Sequence, residues 1–374
     1  MKAGRERIKV CFLIIKAYPL FNSEIKDNFG GAEINLYNLA VKIASDASYE
    51  VEFFVGDYGQ KNIEIINGIK LRKIKYYMSN FRGIHHKFIR ELLLFIQLFK
   101  SDCDICINST AGSVIGYLIL ILKKLKGKKV IYRVASDADT EPERLLKKKK
   151  YFRYIMYKLG IKNADVVVTQ TENQKKLLME RMKIKSTVIR NGFFIEEGKQ
   201  QVKDYILWVS RGVRMKRPEL FVELARRLPD ENFIIIMSGD KLLQDEVKES
   251  MQGLSNINFI DYVPFSEIQK YYDGAKLFVN TSEYEGFPNS FIQACLARTP
   301  LLSFRVNPDD FITNNRLGCF CRDDISAAEE FIRGLDINKI NEYGSNALEY
   351  VRKNHNIEKS VQEYKNIIGN LLRE

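Results

Sequence analysis

The sequence predicts an α/β protein of two doubly wound domains, each a largely parallel sheet with helices on both faces. Three observations carry the prediction. Short β-branched or aromatic runs alternate with longer helical patterns along the whole chain. Several of these runs are apolar nearly throughout, as parallel strands covered on both faces tend to be. A chain of 374 residues is also too long for one ordinary core and too short for three.

In chain order, the first series of strands is read at VCFLIIKA, VEFFVG, IEIINGIKLRKI, ICIN, KVIYRVA and VVVTQ. The apolar runs LLLFIQLF at 92–99 and VIGYLILIL at 114–122 end in lysines, are too short to span a bilayer and read as buried helices. Asn191 and Gly192 then give a turn signal, followed by the polar stretch EEGKQQVKD. The first domain is therefore predicted over 1–192 and the second over 193–353. The second series comprises YILWVS, NFIIIMSG, INFIDYV, LFVNT and PLLSF, with PELFVELARRL, FSEIQKYYDGA and SFIQACLA as helices between them. Residues 354–374 read as an amphipathic helix by the spacing of Val361, Tyr364, Ile367, Ile368 and Leu371, with the first domain as a place for it to pack.

Hydrophobic residues at 45% and charged residues at 28% are those of a soluble globular protein. The amino terminus MKAGRERIKVCFLII runs straight into a strand pattern without the apolar core or cleavage site of a signal peptide, so a cytoplasmic location is expected. Six cysteines form no disulfide framework. Cys103 and Cys106 have CxxC spacing, but they lie in a strand pattern with no second Cys or His pair nearby, and read as core thiols. The formal charge of +12 is concentrated: residues 81–190 hold 24 Lys and Arg against 10 Asp and Glu. Such an excess in one domain suits a polyanionic partner, or else a solvated face.

Three local patterns carry chemistry. Gly30 and Gly31 stand between a strand and the helical pattern GAEINLYNLAVKIA, where backbone N–H groups and the positive helix end can approach an anion. After YILWVS, the loop RGVRMKRP places Arg211, Arg214, Lys216 and Arg217 just before a helix that Pro218 can open. Cations there oppose the helix dipole by about 0.3 to 1 kcal/mol each, so a diphosphate is a suitable guest. In LFVNTSEYEGFPNSFIQACLARTPLLSF, an acidic loop with Glu283 and Glu285 leads through Gly286 into a helix capped by Asn289 or Ser290, with Gln293 on its first turn. A carboxylate and an amide aimed at one pocket can grasp adjacent hydroxyls. Each pattern alone has an ordinary alternative: turn geometry, a solvated basic loop, a solvated helix residue.

Together, Gly30, Gly31 and Glu33, the Arg211–Lys216 loop and EGFPNSFIQACLARTPLLS resemble, in order and spacing, the retaining glycosyltransferases of family 4 (glycosyl transferases group 1). VVTQTENQKKLL and VIRNGF extend the resemblance over nearly the whole chain. It implies the GT-B fold, two Rossmann-like doubly wound domains facing each other across a cleft that holds a UDP- or GDP-sugar. It further implies that Gly30 and Gly31 approach the donor phosphate and the acceptor, that Arg211 and Lys216 neutralise the departing diphosphate, and that Glu285 faces the donor sugar. Backbone groups around Gly286, Phe287, Pro288, Asn289 and Ser290 would bind sugar and phosphate, and those of Tyr262 and Val263 the base. No metal or other cofactor is expected.

Two departures from the family pattern stand out. The second acid, which holds the ribose, is Gln293 here, and an amide bonds a hydroxyl more weakly than a carboxylate does. In place of the usual His, this chain has YRVASDADTE, with Asp137 as the candidate substitute. The DAD triplet also resembles the metal-binding acids of the other glycosyltransferase fold. The expected activity is retaining transfer to a glycan or lipid-linked acceptor in bacterial surface polysaccharide synthesis. A sugar-nucleotide 2-epimerase and a non-catalytic sugar- or polyanion-binding protein are the alternatives. Lys147, Lys148, Lys149 and Lys150, followed by Tyr151, Phe152, Tyr154, Ile155 and Tyr157, suit the headgroup boundary of an anionic membrane. No zinc-finger or RNA-binding aromatic signature supports nucleic acid as a partner.

Overall fold

In the computed structural model, which describes residues 7–75, 84–109, 111–195 and 202–373, the chain forms two units, each built on its own sheet. Unit 1 comprises Met1–Ile25, Phe29–Gly192 and Ile357–Glu374, and unit 2 comprises Lys26–Asn28 and Phe193–Asn356.

The sheet of unit 1 contains β1 (Ile8–Leu13), β2 (Tyr49–Val55), β3 (Ile63–Ile66), β4 (Ile69–Lys73), β5 (Ile105–Asn108), β6 (Lys129–Arg133), β7 (Val166–Thr169) and β8 (Thr187–Val188). Their order is β3-β4-β2-β1-β5-β6-β7-β8, parallel except for β3 against β4. Here the single strand read in IEIINGIKLRKI is corrected to a hairpin. Asn67 and Gly68 both take positive φ (53° and 74°), the tight-turn conformation that Asn-Gly adopts at least cost.

On one face of this sheet, the helix Gly31–Ala44 and the final helix Ile357–Leu371 close the core, the latter burying Ile357, Val361, Tyr364, Ile368 and Leu371. The ion pairs Lys42–Glu358 and Lys365–Asp46, each 2.5 Å, brace it. The other face is covered by helix Ile84–Lys100, helix Ser113–Leu118 with its π-helical continuation Ile119–Leu125, and helix Tyr151–Asn163. The last crosses Ser113–Leu118 at close range. A methyl group on Gly160 would lie 2.4 Å from Ile115 Cγ2, and one on Gly116 2.6 Å from the Met156 carbonyl. Cys11, Cys103 and Cys106 are buried thiols in this layer, Cys11 and Cys103 with their sulfurs 3.0 Å apart.

The two long apolar runs are not simply buried. In 92–99, Leu94 and Leu98 are buried but Leu92, Phe95 and Phe99 are exposed, and in 114–122 Leu120 faces outward while Ile119, Ile121 and Leu122 are covered. A helix on an outer layer can bury only one stripe, so consecutive apolar residues leave some on the far side.

In unit 2, β9 (Tyr205–Gly212), β10 (Asn232–Gly239), β11 (Ile257–Ile260), β12 (Ala275–Asn280), β13 (Leu301–Ser303) and β14 (Gly318–Phe320) form a wholly parallel sheet, ordered β11-β10-β9-β12-β13-β14. β9 and β12 lie side by side at its centre, so the loops leaving their carboxyl ends are neighbours, as at the switch point of doubly wound sheets. The chain leaves unit 1 at Gly192 and re-enters at Ile357. Within unit 2, the Phe193 N–H donates to the His355 carbonyl at 2.8 Å, tying its two ends together.

Candidate donor site

The loops that leave β9 and β12 are joined by hydrogen bonds. Past β9, a 3-10 turn spans Arg214–Lys216, Arg217 takes φ 47°, and Pro218 opens the helix Pro218–Arg227. Past β12, Thr281 and Ser282 are buried. The Thr281 hydroxyl donates to the Lys216 carbonyl and accepts from Trp208 Nε1 at 2.9 Å. Arg217 Nε donates to the Thr281 carbonyl at 2.7 Å, and the Glu283 N–H to the Met215 carbonyl at 2.9 Å.

This stitching brings Lys216 and Glu285 together as an ion pair. The Ser282 hydroxyl donates to the same Glu285 oxygen at 2.9 Å. Both side chains are mostly covered, at 13% and 18% exposure, so the pair is less screened than a surface one. The four basic residues of the loop now differ. Arg217 reaches Asp323 at 2.6 Å and Arg214 reaches Glu246 at 2.9 Å. Among the described residues, the exposed Arg211 guanidinium has no ion pair.

Beyond Glu285, Gly286, Phe287, Pro288 and Asn289 are buried and Ser290 is partly so. Pro288, rather than Asn289 or Ser290, is the N-cap of helix Asn289–Leu296, and no side chain caps it. Gln293 is the fifth residue of that helix, not part of its first turn. It is buried, with no hydrogen bond from its amide among the described residues. The Phe287 ring is 4.9 Å from Phe311 and 4.5 Å from His355, anchoring the loop in the core. β11 stops at Ile260, so Tyr262 and Val263 lie in the loop after it. Gln244 organises that loop, with Nε2 donating to the Met237 and Asp261 carbonyls at 2.5 and 3.4 Å. Burial first, and Asp27 second, raise the Tyr262 hydroxyl.

In unit 1, Gly30 is the N-cap of Gly31–Ala44, with extended φ/ψ of −123° and −173°. Its N–H donates to Glu33 Oε2 at 2.9 Å, so Glu33 caps the helix in the manner of half a capping box. Asp137 starts the 3-10 turn Asp137–Thr140 and accepts from Gln174 Nε2 at 3.0 Å. Asp139 turns inward, accepting from the Ala135 and Ser136 N–H groups at 2.9 and 3.2 Å. Among the described residues, no three His, Cys, Asp or Glu side chains converge as metal ligands would.

Two family models match the chain in succession: "Glycosyltransferase Family 4" over residues 29–197 and "Glycosyl transferases group 1" over residues 190–350. The chain is a GT-B glycosyltransferase. It is 25% identical to an uncharacterized glycosyltransferase of Methanocaldococcus jannaschii, over 92% of this chain and 96% of that one. A Staphylococcus aureus poly(ribitol-phosphate) alpha-N-acetylglucosaminyltransferase is also 25% identical, over 59% of this chain and 47% of the relative. The structure of Anabaena HepE, in complex with UDP and glucose, superposes with a TM-score of 0.75 at 14% identity, covering 97% of this chain and all of that one. The glycosyltransferase thus has its fold from both comparisons, and Arg211, Lys216, Glu285, Gly286–Ser290 and Gln293, which the sequence assigns to the donor, all sit in or beside two neighbouring loops of unit 2.

The membrane-facing residues assigned from sequence lie in unit 1. Lys147, Lys148, Lys149 and Lys150 are exposed, without ion pairs among the described residues, and Tyr151, Phe152 and Ile155 are exposed with them. Tyr157 is a correction: it is buried, its ring 5.8 Å from that of Tyr132, with its hydroxyl donating to the Asp139 carbonyl at 2.8 Å. The residues missed by sequence reasoning are Thr281, Ser282, Trp208 and Gln244. Thr281 and Ser282 directly follow β12, whereas Trp208 lies within β9 and Gln244 within the helix Lys241–Ser250, where nothing local sets them apart.

Proposed function

We propose that the protein transfers a sugar from a UDP- or GDP-sugar to a glycan or lipid-linked acceptor in bacterial surface polysaccharide synthesis, with retention of anomeric configuration. The Lys216–Glu285 pair, fixed by Ser282 and Thr281 beside the unpaired Arg211, is the observation that carries this reading. Arg211 and Lys216 meet the diphosphate, and Glu285 holds the Lys216 ammonium in place while facing the sugar. As the bond between the anomeric carbon and the phosphate oxygen lengthens, negative charge grows on the diphosphate. Cations already in position stabilise it without reorganising. The acceptor oxygen bonds to the same face of the anomeric carbon, and its proton passes to the leaving phosphate oxygen, so no separate base is required. Protein cations do the work that a metal ion does in other transferases.

UDP in the Anabaena structure and poly(ribitol-phosphate) in the name of the staphylococcal relative support the donor and acceptor classes. On this reading the protein works at the inner face of the cell membrane, where Lys147–Lys150 attract anionic lipid headgroups. The test is incubation with UDP- and GDP-sugars, with and without lipid-linked oligosaccharide, followed by NMR of the anomeric proton in the product. Transfer with retention is expected. An isomerised donor in the absence of acceptor would mean an epimerase, and binding without turnover would mean a sugar-binding protein.

A further inference from the structure

Three helical segments, Ile84–Lys100, Ser113–Leu118 with Ile119–Leu125, and Tyr151–Asn163, cover one face of the sheet of unit 1, and each also turns large apolar side chains outward. From the first, Ile89, Leu92, Phe95 and Phe99 are exposed; from the second, Leu120 and Leu125; from the third, Tyr151, Phe152 and Ile155. These nine are between 41% and 63% exposed, and they are half of the eighteen exposed large hydrophobics among the described residues. Scattered apolar residues need no explanation, but such a concentration does.

Contacts between the segments make this one surface. The Phe95 and Phe99 rings stack at 6.4 Å, and the Lys126 ammonium lies 5.8 Å over the Phe99 ring while donating to the Phe99 carbonyl at 2.8 Å. Glu91 of the first segment acts on Tyr117 of the second, whose hydroxyl is pushed up to about 12 by burial and then by that carboxylate. Tyr117 in turn lies 6.4 Å from Phe152 of the third. No helix among the described residues is long and apolar enough to cross a membrane.

Cations border this surface. Lys123 and Lys128 are held by Asp165 and Asp104. Lys124 and Lys147–Lys150 are exposed and have no ion pair among the described residues. A second copy of the chain would bring these lysines against their own kind. An anionic bilayer offers acyl chains to the apolar centre and phosphates to the rim, the pairing used by interfacial helices.

We propose that this three-helix face inserts into an anionic lipid bilayer, with Phe99, Leu125 and Ile155 entering the acyl region and Lys124 and Lys147–Lys150 at the level of the headgroups. The proposal rests on the membrane-proximal reading above and deepens it from electrostatic attraction to insertion.

The only tryptophan, Trp208, is buried in unit 2 and gives a constant background. Phe99→Trp therefore places a probe on the face, and Leu242→Trp, exposed in unit 2, is the control. Vesicles contain 30% phosphatidylglycerol in phosphatidylcholine, with or without bromine on the acyl chains. Brominated chains should quench Phe99→Trp and leave Leu242→Trp unchanged. Wild type should keep at least a tenth of its low-salt vesicle affinity in 1 M NaCl, where headgroup attraction is screened. The triple change Phe99→Ser, Leu125→Ser, Ile155→Ser should lose at least tenfold at low salt, with UDP binding and melting temperature intact. Sedimentation with vesicles but no quenching of Phe99→Trp overturns insertion and leaves the lysines to act alone. A wild type that ignores anionic vesicles ends the membrane-proximal reading itself. Unchanged vesicle binding by the triple variant, with loss of a wild-type dimer in ultracentrifugation, overturns the proposal in favour of self-association.

Discussion

The Lys216 ammonium and the Glu285 carboxylate, 69 residues apart in sequence, meet as an ion pair over which the Ser282 hydroxyl closes. Glu285→Gln keeps the shape and removes the charge. Transfer is expected to fall about a hundredfold, in the range set by removing one transition-state group, while the Kd for UDP changes less than tenfold by calorimetry. Unchanged turnover would place Glu285 outside the donor site.

On the proposed reading, Arg211 and Lys216 meet the diphosphate. Arg211→Ala and Lys216→Ala are each expected to lower kcat by two to three orders of magnitude, roughly the cost of one lost oxyanion donor. Arg211→Lys should recover only part, because an ammonium cannot grip two oxygens as a guanidinium does. Near-normal rates in both alanine variants would remove the diphosphate assignment.

Gln293→Glu brings a carboxylate to a covered position on Asn289–Leu296. Without nucleotide the melting temperature should fall slightly, since a buried charge lacks a partner. With UDP it should recover, and the shift on binding should exceed that of wild type. A complete loss of transfer with the fold intact would give Gln293 a different role.

Asp139 makes stability depend on pH. Burial pushes its carboxyl up to about 6, against the pull of the Ala135 and Ser136 N–H groups. The folded protein therefore holds this proton more tightly than the unfolded chain. The associated stability is fully present below the ordinary carboxylate range and is lost as pH rises through about 6. Asp139→Asn has no such proton, so between pH 4 and 7 its stability should shift relative to wild type by roughly 2 kcal/mol in its favour, read from urea unfolding. A constant difference across that window would show that the group titrates normally.

The strands were legible because an apolar run bounded by turn residues is a local signal, and their parallel arrangement follows from their being apolar on both faces. The hairpin at Asn67–Gly68 was also written in the sequence, as an Asn-Gly pair inside one β-branched run, and reading through it merged two strands. The outer helices misled for a physical reason. Composition reports how apolar a segment is, but Phe95 and Leu94 differ only in which way a helix turn aims them. In the candidate site, the motif residues Arg211, Lys216 and Glu285 could be picked out. The pairing of Arg217 with Asp323, the hydrogen bond from Trp208 to Thr281 and the Phe287 anchor could not, because they join segments that meet only after the sheet has formed.

Unit 2 is inserted between β8 and the final helix of unit 1. During translation, almost all of unit 2 is available to fold once residue 356 has cleared the ribosome, as domains generally do in turn. Unit 1, started first, still lacks Ile357, Val361, Tyr364, Ile368 and Leu371, which close its core. The unit begun earliest is finished last, so a premature stop codon within Ile357–Leu371 cripples the amino-terminal fold and leaves nearly all of unit 2 with every residue it needs.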